Sequence, residues 1–316
     1  FPKVMVMRDG KPRETKVLTR GVYNNPTAVV VSSNTPKSLP PFPGNAPKNR
    51  LGLAVWLVDA KHPLTARVTV NRIWQHHFGV GLVRTAADFG RHGEIPSHPK
   101  LLDWLALHFM ENGWDRKAIH QLIVESATYR QASVNRADLK LADPENQLLA
   151  RFPRIRLPAE QIRDSALVVS SLLNKRIGGP SVFPSQPPGL YEERGQNTPG
   201  NSNFTWKDST GPDRYRRSLY TYWKRMMLHP VLSAFDAPTR QVCIAKRQIT
   251  NTPQQALVAL NDPMFATSAT ALVKRLEQEG YDGDSAKITA VFRICFAREP
   301  DVRERQQCLA FLNQQR

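Results

Sequence analysis

Cysteine is nearly absent from this sequence, with only Cys243, Cys295 and Cys308 in 316 residues. Their spacings fit neither a CxxC zinc pair nor a CxxCH haem attachment. Cys295 and Cys308 fall in two apolar segments flanking Arg298-Glu299-Pro300-Asp301, which leaves a disulfide between paired helices or two buried free thiols. Long apolar runs are also missing: no stretch approaches the roughly 18 residues that a membrane helix needs, so no membrane span is expected. No catalytic triad, phosphate loop or standard metal motif is complete. Ser97 and Ser126 lack a GxSxG elbow, and no cysteine lies near a histidine. The chain opens FPKVMVMRDG, without an initiator Met or a basic region followed by an apolar run. It reads as a fragment of something longer.

Acidic residues are in short supply. Lys and Arg number 44 against 27 Asp and Glu, a formal net charge of +17. Such an excess concentrates anions and favours nucleic acid, acidic polysaccharide or an anionic membrane as partner. It is greatest between residues 211 and 250, where Arg214, Arg216, Arg217, Lys224, Arg225, Arg240, Lys246 and Arg247 face only Asp213 and Asp236, a local excess of +6. Arg240 and Arg247 are candidate ligand-binding residues; the alternative is a solvated basic surface.

The length allows one large or two modest domains. Residues 1–35 carry short β-type runs, at Val4 to Met7, Lys16 to Leu18 and Ala28 to Val31, broken by Asp9-Gly10 and Asn24-Asn25-Pro26 turn signals. They read as the tail of a preceding β-rich domain. Residues 36–49 hold five prolines and no hydrophobic period, a linker or an extended arm lying across the next domain.

From residue 50 to 316 the pattern predicts one helical domain. A short apolar helix spans Leu51 to Val58; a second runs from Pro63 to about Phe78, stopped by Gly79 and Gly81. Ser97 with Pro99 is expected to cap a third, ended by Gly113, and Asp115 a fourth. A fifth is expected from Pro158 to about Lys175. Residues 177–212 then form an irregular insert with six Pro and six Gly, carrying the exposed-looking aromatics Tyr191 and Trp206 besides Phe204. RRSLYTYWKR reads as a strand. Helices follow at about 252–260, 263–279, 284–297 and 301–313. The expected class is mainly α, with a short β-rich N-terminal remnant and a long Gly/Pro-rich insert loop.

The stretch from Pro63 to Gln131 is the most densely polar for a helical region. Val70, Ile73, Trp74 and His77 lie at i, i+3, i+4 and i+7, a core-facing stripe. Arg67 and Asn71, one turn apart with Arg72 beside them, can present a guanidinium fork and an amide to one anion, or can satisfy buried loop carbonyls. His76 and His77 point about 100° apart and cannot chelate one metal as an i, i+4 pair would. The following loop offers Asp88, His92, Glu94 and His98, metal-binding side chains whose spacing fits no standard motif. Hydrogen bonding that rigidifies a Gly-rich loop is the competing reading.

These residues carry a family resemblance. LTARVTVNRIWQHHFGVGLVRTAADFG, followed in order by PSHPKLLDWLA, GWDRKAIHQLIVESATYRQ, RRSLYTYWKR, FDAPTRQVCIAKRQITNTPQQALVALNDP and FRICFAREP, resembles the domain of unknown function 1553 from about Lys48 to the end. The landmarks are Arg67, Asn71, Arg72, Trp74, Gln75, His76, Phe78, Gly79, Asp88, Phe89 and Gly90. The resemblance implies the C-terminal part of a large exported protein of planctomycete-type bacteria, periplasmic or at the cell surface, whose upstream domains include a cytochrome c domain holding haem. It implies no cofactor in this part of the chain, no established reaction and no catalytic residue to transfer.

Three function classes follow. The first is a non-catalytic binding or assembly module, whose basic surface and Trp206 loop hold an acidic or sulfated polysaccharide or a partner protein. The second is an enzymatic domain acting on polysaccharide, or coupled to the upstream haem, with Arg67, Asn71, Asp88, His92 and Glu94 around one pocket. Nucleic-acid binding ranks last, since no recognition-helix signature is evident and export removes the usual substrate.

Overall fold

The computed structural model describes residues 3–11, 13–135, 137–187, 206–224 and 227–316, without the side chain of residue 140. The chain is mainly α with a two-stranded N-terminal sheet, as the periodicity predicts. It divides into two compact units, Phe1–Ile155 and Arg156–Arg316, a boundary inside the span read from sequence as one helical domain.

In the first unit, β1 (Thr15–Leu18) and β2 (Pro26–Val31) form an antiparallel hairpin pairing Thr15 with Val31 and Leu18 with Pro26. The run Val4 to Met7 belongs to no strand and is exposed. The Pro-rich segment lies against α1 (Arg50–Leu57): the Trp56 indole N–H donates to Pro40 O at 2.9 Å, and a Cβ on Gly52 would stand 2.0 Å from Pro47 O. Asn49 caps α1 by accepting from the Leu51 and Gly52 amides.

α2 (Thr65–Phe78) stops at Gly79, whose φ of 75° is the left-handed turn that favours glycine. α3 (Pro99–Glu111) packs on α2, and α4 (Arg116–Glu125) is capped by Asp115 through the Lys117 and Ala118 amides. The core between them holds Val70, Ile73, Trp74, Phe78, Leu105 and Ile123, among others. Each fully buried Leu or Ile there contributes about 1.5–3 kcal/mol relative to exposure. Ser97 does not cap α3. His98 occupies the cap position, and the Ser97 hydroxyl and amide both donate to Leu82 O, tying the loop down instead. A single turn, α5 (Leu139–Ala142), follows.

The second unit begins with α6 (Ala159–Val169), shorter than expected. The Ser170 hydroxyl donates back to Ala166 O, Ser171 turns to a φ of 58°, and the Leu172 and Leu173 amides close onto Leu167 O. No strand forms among the described residues of RRSLYTYWKR either: Gly211–Tyr215 and Ser218–Tyr220 are 3-10 turns, with isolated bridges at Arg216 and Thr221. α7 (Pro230–Ala234) places Val231 and Leu232 in a core with Ala159 and Phe235. α8 (Pro253–Asn261) and α9 (Pro263–Gln278) meet at 58°, followed by α10 (Asp284–Phe296) and α11 (Val302–Gln315). Among the described residues no single helix is long and apolar enough to cross a membrane.

Candidate functional site

Asn71, on the buried face of α2, is fully enclosed. Its amide donates to Val83 O at 3.0 Å and accepts from Val83 N at 2.8 Å. Gly81 lies flush against it; a Cβ there would meet the Asn71 amide nitrogen at 2.6 Å and Val83 O at 2.7 Å. Arg67 turns elsewhere, donating to Asp103 at 2.7 Å and to Pro63 O at 2.7 Å. Arg72 and His76 are exposed.

In the loop, Asp88 accepts from the Gly90 amide at 2.7 Å, while Thr85 donates to Asp88 O and accepts from the Glu94 amide. Glu94 faces Arg84 at 3.7 Å, and Arg84 also pairs with Glu145. His92 is exposed. Of the five residues of the enzymatic reading, Asn71 is thus buried on the loop backbone and Arg67 engaged by Asp103, while Asp88, His92 and Glu94 belong to the loop. A cleft of about 100 Å³ does lie nearby, with Trp74, Phe78, Leu82, Arg84, Glu145 and Asn146 among its lining, and none of the five belongs to it. Among the described residues no three His, Cys, Asp or Glu side chains gather as a metal-binding group.

The adjacent histidines separate as helix geometry requires. His76 is exposed, whereas His77 is half-buried, its Nε2 standing 2.8 Å from Nδ1 of His120 on α4. Burial first, then His120 and His76, holds the His77 pKa below the usual imidazole value.

In the second unit α6 organises the basic stretch. Arg163, 2% exposed, donates to Arg214 O, Arg216 O and the Ser218 hydroxyl. Asp164 accepts from the Ser218 amide at 2.7 Å and faces Arg217 at 3.8 Å. Glu160 accepts from Arg247 at 2.8 Å. Burial alone would raise the Glu160 pKa, but that hydrogen bond and the charges of Arg247 and Arg240 hold it below the carboxylate range. Arg247 thus pairs with Glu160, and Arg240 acts on the same carboxylate through its charge alone. Arg240 is exposed, its guanidinium lying 3.7 Å from the centroid of the Trp223 ring, and the indole N–H points to Thr239 O at 3.4 Å. Asp236 is occupied by Arg156 and Thr250.

Part of the basic excess is internal. Arg216 is 1% exposed, donates to the carbonyls of Arg176, Gly178 and Pro180, and lies 3.9 Å from the Tyr220 ring centroid. It folds the 176–180 turn around itself instead of facing solvent. Arg225, Tyr191 and Phe204 lie outside the described residues. Trp206 is not an exposed aromatic: it is half-buried, donates to Pro184 O at 3.1 Å and packs edge-on to Phe183.

Sequence reasoning missed His229. It is 3% exposed, with Nε2 3.1 Å from Ser185 O, and burial lowers its pKa to about 4. The three thiols are free, with Cys243 and Cys295 exposed and Cys308 half-buried, so the expected burial of Cys295 is corrected. No CxxCH pair exists to hold haem covalently in this part of the chain.

The chain belongs to the family described as PSD1, protein of unknown function (DUF1553), whose model matches residues 49–312. No curated protein and no solved structure matches it.

Proposed function

We propose that this chain is a non-catalytic binding and assembly module that holds an acidic or sulfated polysaccharide, as part of a longer exported protein with haem on another domain. One observation carries the reading: Arg240 is exposed yet fixed over Trp223. A guanidinium stacked on an indole surrenders less side-chain freedom on meeting an anion. The carboxylates Glu160 and Asp236 are already engaged by Arg247 and Arg156. Arg214, Arg240 and Lys246 remain outward in the same basic stretch.

Retention on immobilised dextran sulfate and polygalacturonate, across a salt series, tests this. The wild-type chain binds with salt-dependent affinity, and Arg240→Ala weakens binding more than Arg67→Ala, which removes the same charge elsewhere. Absence of binding at low ionic strength, or equal loss in the two variants, overturns the reading.

A further inference from the structure

We infer that His77 and His120 form a two-imidazole site for a borderline divalent transition metal, Cu²⁺, Ni²⁺ or Zn²⁺. The two rings come from different helices, α2 and α4, and present Nε2 and Nδ1 to one another at 2.8 Å. That separation is close to the roughly 2.9–3.3 Å between two cis nitrogens when each lies about 2.0–2.1 Å from one ion. A neutral pair shares a single N–H···N bond; when an ion enters, the donor ring shifts that proton to its other nitrogen by exchange with solvent, so two lone pairs become available and no net proton is released.

The rings differ in their freedom. His77 is half-buried and meets the Tyr129 ring edge-on at 5.5 Å; Tyr129 packs in turn on Phe78 and Phe152. His120 is exposed and free to turn its ring so that both nitrogens converge on one ion instead of facing each other. No third protein ligand joins the pair among the described residues, which leaves water or an external anion for the remaining positions. Imidazole selects copper, nickel and zinc over magnesium and calcium, and Cu²⁺ binds tightest of the series. This site is independent of the polysaccharide reading and lies in the other unit.

Titration calorimetry of the full chain, freed of any histidine tag, tests the inference with CuCl2, ZnCl2 and MgCl2. Cu²⁺ and Zn²⁺ bind at one site per chain, Mg²⁺ does not, and the copper EPR spectrum reports two nitrogen ligands. His120→Ala, an exposed change that leaves the core intact, weakens Cu²⁺ binding by an order of magnitude or more. His77→Gln does the same, while His108→Ala on α3 leaves it unchanged. The inference is overturned if the wild type takes up no Cu²⁺ or Zn²⁺, or if His120→Ala binds them as tightly as wild type.

Discussion

Replacing Asn71 by Leu isolates the clasp between α2 and its following loop. Leu keeps the branched outline of the side chain, though it is larger and favours helix more, while removing both amide hydrogen bonds to Val83. Val83 is 2% exposed and its N–H and C=O take these bonds from a side chain that is itself fully buried. Each orphaned buried group costs about 1–3 kcal/mol, and the apolar gain of Leu offsets part of the sum, so a net loss of about 2–5 kcal/mol is expected. That is a large fraction of the roughly 5–15 kcal/mol available to a domain. Urea unfolding measures the loss, and amide exchange of residues 82–97 shows whether it falls on the loop. Arg67→Ala is the contrast: its pair with Asp103 is exposed, so removing it costs only about 0.2–1 kcal/mol. An Asn71→Leu loss below about 1 kcal/mol with an unchanged urea slope would refute the reasoning, because Val83 would then be satisfied some other way.

Arg216→Lys keeps the charge but loses the fork that holds the carbonyls of Gly178 and Pro180; unfolding measurements should show a loss of about 2–4 kcal/mol, and a loss under about 1 kcal/mol refutes the fork. His229 has its pKa lowered by burial to about 4, so the stability it confers is full above its unfolded value of 6.5 and is lost as pH falls toward about 4, on the order of 3 kcal/mol in all. Unfolding midpoints of wild type and His229→Asn should therefore diverge between those limits; parallel profiles would exclude His229 as the source. Glu304 is drawn down to about 2 by the hydrogen bonds of Arg298 and then by the Asp301 amide, so its contribution is present above 4.5 and lost as pH falls toward about 2. Amide exchange in the first turn of α11 should quicken over that window in wild type and show no such step in Glu304→Gln.

The helices that could be read from sequence are those whose stripe and stop signals agree locally. Asp115 and Gly79 bound α4 and α2 as their chemistry requires, and the two terminal helices follow a Gly and the Asp301-Glu304 capping box. The misread elements lie where distant charges claim the backbone. Leu219, Tyr220 and Tyr222 suggest a strand, yet Arg163 and Asp164 seize the carbonyls and amides of residues 214–218 from more than fifty positions away. No local pattern encodes that. α6 ends early because the Ser170 hydroxyl bonds back to its own turn and Ser171 turns to positive φ, a tendency visible in Ser170-Ser171 but outweighed in the reading by the leucines beyond it.

The candidate residues were legible as unusual and illegible as to role, for one physical reason. A polar side chain on an apolar helix face has to satisfy something, and a buried non-repetitive segment has backbone groups that must be satisfied. Gly81 to Val83 is such a segment: apolar and drawn into the core, so its amides and carbonyls need partners that neither helix nor sheet supplies. Asn71 supplies them at Val83, Ser97 reaches back to Leu82, and Arg216 and Arg163 do the same for the turns of the second unit. Polar density beside such a segment therefore argues first for a clasp. A ligand role is better sought where a charged group is exposed and its neighbours are already paired, as at Arg240, or where two ligand atoms face one another with one proton between them, as at His77 and His120.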